Sequence, residues 1–224
     1  AWERIDETIA ESQGSTSPGD IYTEKLMEIN PTTNSIVWEW RSFDHIIQDN
    51  DPTFPNYGNI SQNPQLMHIN YNLRADGDIM HANGFDYDDD KDVIYLSINF
   101  FNEVWVIDHS TTSAESATNS GGSYGRSGNI LYRFGNPLAY DNIVGEVRDD
   151  RNHFPNLLEN GVPGEGNMLL YVNGNTLGVS IIYELEMPQN FTLIPDAEFF
   201  FKCCLTVCVS FSGDQKNTTL RFQF

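Results

Sequence analysis

Cysteine is absent from the first 202 residues and then appears as Cys203, Cys204 and Cys208. Three thiols so crowded offer no disulfide framework, and they lack the paired spacing of a zinc site. Basic residues are scarce: 12 Lys and Arg stand against 32 Asp and Glu, a formal charge of −20. That balance repels polyanions, which argues against nucleic acid or an anionic membrane as a partner. Apolar runs fall far short of the ~20 residues that span a bilayer, so no membrane insertion is expected. Helical periodicity is nearly missing as well. The chain opens at AWERIDETIAESQG, without Met or a recognisable leader, as a fragment or a processed product would.

What is present is apolar and β-like. With 39% apolar and 12% aromatic residues, 224 residues can bury a real core, and one domain is the default. Short runs rich in Val, Ile, Tyr, Phe and Trp alternate with Asn, Asp, Gly and Ser clusters, the pattern of an all-β chain. From Asn83 onward GFDYD, VIYLSIN, VWVIDHS and NILYRFG form four successive strands of a meander, with turns at DDKD and FNE. LMEINPTTNSIVWEW at 26–40 repeats VWVIDHSTT resumed at NILYRF, once SAESATNSGGSYGRSG at 113–128 is set aside as an inserted loop, expected to be flexible. NMLLYVNG at 167–174 and SIIYELE at 180–186 supply the second and third strands of a partial third copy. Repeated four-stranded units point to β-propeller blades, of which this chain would hold about two to three, too few to close a ring. The blades occupy 1–186, and 187–224, which lacks the pattern, is set apart as a divergent tail. The stretch 46–80 is long for a connection, as walls and lids of functional sites commonly are.

Chemistry centres on five histidines: His45, His68, His81, His109 and His153. LMHINYN at 66–72 and IMHANGF at 79–85 share a His-x-Asn pattern, a titratable ring beside an amide. His45, His81 and His153 stand at equivalent points, where a blade ends or begins, and are expected to converge at a channel mouth. The plainer alternative is a partly buried histidine closing a strand end. His109 is expected in a turn and His68 in a loop. DYDDDKD lacks the Gly and terminal Glu of a calcium loop and reads as a solvated hairpin turn. GVPGEGN lacks the strand-to-helix context of a phosphate loop, and the chain has no G-x-S-x-G elbow. Sequons at Asn59, Asn190 and Asn217 matter only if a eukaryotic cell secretes the chain.

In this order and spacing, IVWEWRSFDHIIQDND, MHANGFDYDDDKDVIYLSINFFNEVWVIDHSTT, ILYRFGNPLAYD and NHFPNLLENGVPGEGNMLLYVNG resemble the bacterial arylsulfotransferase (aryl-sulfate sulfotransferase) family, over roughly 20–186. The resemblance implies a six-bladed propeller outside the cytoplasm, periplasmic or secreted. It implies transfer of a sulfuryl group from an aryl sulfate to a phenol through a sulfohistidine, without a cofactor or nucleotide sulfate. His153 is similar in position to the catalytic carrier; His45, His81 and Asn83 resemble the residues that hold the sulfuryl oxygens, and Asn99 stands where the family usually has Arg or His. Asn152-His153-Phe154-Pro155 also departs from the family's Gln-His-Asp. These departures leave a second expectation, a propeller that binds without turnover.

Overall fold

The computed structural model describes residues 1–143, 147, 151–173, 180–188 and 190–191, with the backbone of strand Cys203–Val209. Three antiparallel sheets and one short parallel pair make up its β structure. The first sheet joins β1 (Trp2–Ile5), β2 (Ile21–Asn30) and β3 (Ser35–Arg41) in that order. Its hairpin turns where the Asn30 side chain accepts from the Thr32 and Thr33 amides, the local bonding that favours Asn at turns. After β3 the chain makes a 3₁₀ turn, Ser42–His45, and a parallel bridge between β4 (Ile46–Ile47) and β5 (Met67–His68).

The second sheet is the expected meander: β6 (Ala82–Asp88), β7 (Val93–Ile98), β8 (Glu103–Asp108) and β9 (Tyr132–Phe134). Its DYDDDKD segment is a hairpin turn, with Asp88 accepting from the Lys91 amide. Every residue of β7 and β8 is buried. Period-two alternation explains why both faces need cover. Ile94, Leu96, Ile98, Trp105 and Ile107 pack with Trp38 and Trp40 of the first sheet. Val93, Tyr95, Val104 and Val106 pack with Met168, Leu170 and Val172 of the third. The three sheets are therefore stacked face to face, the second between the others.

The third sheet runs β10 (Asn152–Leu157), β11 (Met168–Val172), β12 (Ser180–Leu185) and β13 (Cys203–Val209). β11 and β12 are the second and third strands that the repeat predicts. β13 pairs antiparallel with β12, so the expected boundary after 186 does not separate this strand from its sheet. The Asn217 sequon and most of the expected tail lie outside the described residues. Among the described residues the sheets are open and no ring closes.

The inserted segment 113–128 corrects one expectation. It opens with a helical turn, α1 (Ser113–Ser116), fixed by a capping box in which Thr112 and Glu115 exchange hydrogen bonds. It is then pinned to the first sheet: Trp40 Nε1 donates to the Gly128 carbonyl at 2.7 Å, and Ser116 Oγ donates to the Glu39 carbonyl. A Gly/Ser-rich composition still packs here because it lets backbone come close: a Cβ on Gly128 would lie 1.8 Å from the Ser116 carbonyl oxygen.

Beneath β8 and β9, Arg133 and Glu103 form a wholly buried ion pair, 2.5 Å between Nη2 and Oε2. Arg133 Nη1 also donates to the Pro64 and Leu66 carbonyls, and its guanidinium lies 4.6 Å from the Tyr140 ring centroid. Burial pushes the Glu103 carboxyl up while the guanidinium pulls it back down. Removing one partner strands the other charge in the interior. Arg133→Leu is expected to cost about 3–5 kcal/mol, read as a lower urea midpoint, and Arg133→Leu combined with Glu103→Leu should recover part of that loss.

Candidate functional site

The ends of β6 and β10 create the site, and glycine lets them meet. A Cβ on Gly84 would sit 2.7 Å from the Phe154 Cα, so only a residue without one allows β10 to lie over β6 here. Both strands are irregular at the crossing. Asn83 is the extra residue where the β6–β7 ladder slips between Ala82 and Gly84, and the β10–β11 register shifts between His153 and Asn156. Bulges re-aim side chains. Pro155 sits in the second bulge on the sheet's edge strand, a place where no ladder donor is required of it.

The result joins Asn83 to His153. Asn83 Nδ2 lies 2.9 Å from the Asn152 carbonyl and 2.8 Å from His153 Nδ1. A carbonyl only accepts, so the amide nitrogen must face it, while Asn83 Oδ1 accepts from Ser97 Oγ at 2.8 Å. His153 Nδ1 is then an acceptor, and the neutral ring carries its proton on Nε2. Burial, with the electrostatic influence of nearby His81 second, lowers the His153 pKa, which favours the neutral ring.

His81 has the opposite polarity. Its Nδ1 lies 2.5 Å from Asp78 Oδ2, and its backbone N–H donates to Asp78 Oδ1 at 2.9 Å. Facing a carboxylate, Nδ1 holds the hydrogen, so the neutral ring keeps its lone pair on Nε2. The backbone is left-handed at His81, φ 51°, a cost that a β-unbranched residue bears where neighbours fix it. Phe100 stacks on the imidazole at 4.6 Å and 17°.

A cleft of about 430 Å³ opens beside these groups, lined by His153, Asn99, Phe100 and two arginines, Arg74 and Arg151. Asn72, Asn102 and Asn173 complete its wall. Asn99 donates to the Asn152 carbonyl at 3.0 Å, leaving its Oδ1 for the cleft. Arg74 rests on Phe100, 4.1 Å from the ring centroid, with Asp76 Oδ1 at 3.4 Å. Among the described residues no carboxylate pairs with Arg151. In a chain with so few cations that is an anion's environment. Neither arginine is evident as a site residue from the sequence. The available signal is Arg151 standing two places before His153, and Arg74 falling in the long 46–80 connection.

His45 corrects the expected convergence of three imidazoles. It is 3% exposed, with Nε2 donating to the Ser116 carbonyl at 2.7 Å and Nδ1 3.0 Å from the Asn129 amide. Trp40 stacks parallel to it at 6.1 Å. Nε2 serves the packing of the 113–128 segment and Nδ1 that of Asn129 just after it, and His45 does not line the cleft. The structure thus puts His153 and Asn99 in the cleft wall, bonds Asn83 to His153 and stacks His81 on Phe100 of that wall, and it leaves His45 outside. His109 closes a turn at the end of β8, Nδ1 2.7 Å from Asp92, as expected. His68 lies in β5, its ring nitrogens buried without a hydrogen bond and Asp49 at 3.6 Å. Among the described residues no group of side chains could hold a metal, and no helix is long and apolar enough to cross a membrane.

Comparison with protein-family models, curated proteins and solved structures matches nothing.

Two measurements check this geometry. Histidine ¹⁵N chemical shifts should show an Nε2–H tautomer for His153 and an Nδ1–H tautomer for His81, and Asn83→Asp should raise the His153 pKa by placing a carboxylate on Nδ1. Burial also lowers the His45 pKa, so its stabilising effect is complete above the unfolded value of about 6.5 and is lost as pH falls below it. Melting temperature should therefore drop between about pH 7.5 and about pH 5, and His45→Gln should flatten that drop.

Proposed function

We propose that this chain is part of a β-propeller sulfotransferase that acts in the His153 cleft, moving a sulfuryl group from an aryl sulfate to a phenol outside the cytoplasm. The observation that carries the reading is one cleft lined by the His153 imidazole and two guanidiniums, with a second imidazole of opposite hydrogen-bonding polarity, His81, stacked on Phe100 of its wall. The blade repeat, the stacking of three sheets and the ordered family-like segments support the propeller. No cofactor is required by this chemistry.

Sulfuryl transfer needs a lone pair in line with sulfur and fixed donors for the sulfuryl oxygens. In the first half-reaction an N–S bond forms as the S–O bond to the aryl group breaks, and the phenolate takes a proton. In the second, the acceptor oxygen attacks sulfur, the N–S bond breaks, and the acceptor's proton passes to an imidazole. The resemblance makes His153 the carrier. Its hydrogen bonds divide the work differently: Nε2–H of His153 suits a sulfuryl oxygen or the departing phenolate, and the free Nε2 of His81, oriented by Asp78, suits the attack. Arg74, Arg151 and Asn99 are the oxyanion partners.

A second reading draws on the same bond from Asn83. With Nε2 protonated, the residue that the resemblance makes the nucleophile has no lone pair to offer, and the cleft binds sulfate esters without turning them over.

Release of nitrophenolate from 4-nitrophenyl sulfate decides between them. Transfer predicts release that quickens when a second phenol is added, abolition by His81→Ala, and a fall of about 10²–10³-fold in His153→Ala. Activity unchanged in His81→Ala overturns the division of roles. Saturable binding of the ester with no nitrophenolate over long incubation establishes the binding module.

A further inference from the structure

The wall of the cleft is matched to hydroxyl groups rather than to a flat apolar ring. An aryl acceptor buries its faces against apolar or aromatic surface, and drug-sized apolar ligands are bound by walls that are mostly apolar. Among the described residues Phe100 is the one Phe, Tyr or Trp of the lining, and its ring already carries Arg74 and His81 as stacking partners.

Amides dominate instead. Asn102 Oδ1 accepts from the Arg151 backbone N–H, which leaves its NH₂ free, and Asn72 Nδ2 donates to the Ile79 carbonyl, which leaves its oxygen free. Asn99 likewise keeps its oxygen, and among the described residues the Asn173 side chain has no partner at all. A carboxamide both donates and accepts, as a hydroxyl does, so a wall of free amide groups satisfies a ligand bearing several hydroxyls and leaves its own groups unsatisfied against a bare phenyl ring.

We infer that the acceptor taken by this cleft is a saccharide or similar polyol, held by Asn72, Asn102 and Asn173 while Arg74 and Arg151 hold the sulfuryl group. The inference rests on the sulfate-ester reading above for the sulfuryl half and adds a polyhydroxy acceptor to the phenol named there. In the transfer step a sugar hydroxyl oxygen forms the new S–O bond, the N–S bond of the sulfated imidazole breaks, and the hydroxyl proton moves to an imidazole nitrogen. The product is a saccharide sulfate.

The test compares two products that share a sulfate and differ only in the organic half. Calorimetric titration of the 224-residue chain with glucose 6-sulfate and with phenyl sulfate should show the sugar ester binding at least about tenfold more tightly, the worth of one or two net hydrogen bonds. Asn173→Ala should remove most of that preference while leaving phenyl sulfate unchanged, and Arg151→Ala should weaken both esters. Phenyl sulfate binding as well as or better than the sugar ester overturns the saccharide inference and leaves the sulfate-ester reading standing. A preference that persists in Asn173→Ala, Asn102→Ala and Asn72→Ala also overturns it. Binding of neither ester, with no binding of inorganic sulfate, overturns both.

Discussion

Asn152 is the pin on which the site depends. It is wholly buried, and its side-chain NH₂ donates to Ser97 Oγ at 2.8 Å and to the Glu103 carbonyl at 2.7 Å. Its backbone carbonyl receives the amides of Asn83 and Asn99. One residue of β10 is thereby bonded to β6, β7, the turn after β7 and the start of β8. His153 follows it directly, so the ring's place is set by a residue that never reaches the cleft. The geometry of neighbouring amides also sets its tautomer: the acceptor-only carbonyl of Asn152 orients Asn83, and Asn83 orients the proton on His153. Below this network Glu103 holds the buried Arg133, whose bonds to the Pro64 and Leu66 carbonyls tie the long connection to the same sheet. The connection that delivers Arg74 and His81 and the strand that delivers His153 are thus anchored on one element, β8.

Much of the scaffold was legible because sheets encode themselves locally. The two central strands of the second sheet, VIYLSI and EVWVID, are nearly continuous apolar runs rich in β-branched and aromatic residues, and such runs arise when a sheet is covered on both faces. The repeat between 26–40 and the β8–β9 region was legible for the same reason: each unit needs the same alternation and the same turn chemistry. The composition of 113–128 misled because Gly and Ser signal mobility only when nothing packs on them. Trp40, His45 and Glu39 supply partners from 71 or more residues away, and that distance leaves no local trace. β13 was invisible for a related reason, since its register is given by β12 and not by a pattern within the Cys-rich segment.

The site was half legible. His81, Asn83, Asn99 and His153 were found as residue types in a family-like order, and they meet. His45 was found by the same reasoning and does not join them, because equivalent position along a repeat fixes where a Cα falls and not which way a ring points. Trp40 and the Ser116 carbonyl captured its ring instead. Arg74 and Arg151 carry no site signal in the sequence because a cation in a loop is ordinarily a solvated surface charge. What distinguishes them is the wall they share with His153, which only three dimensions display.

The acidity of the chain sharpens the meaning of those two cations. A surface with 20 excess negative charges disfavours the approach of any anion at long range, though physiological salt confines that field to about 8 Å. An anionic ligand therefore gains its affinity only on entering the cleft, where guanidiniums and N–H groups replace water at hydrogen-bonding distance. Steering contributes little under these conditions, and contact contributes most. Selectivity then falls on the part of the ligand that carries no charge. On the proposed reading any sulfate ester would satisfy the arginines equally, and the amides around them would decide which ester remains bound.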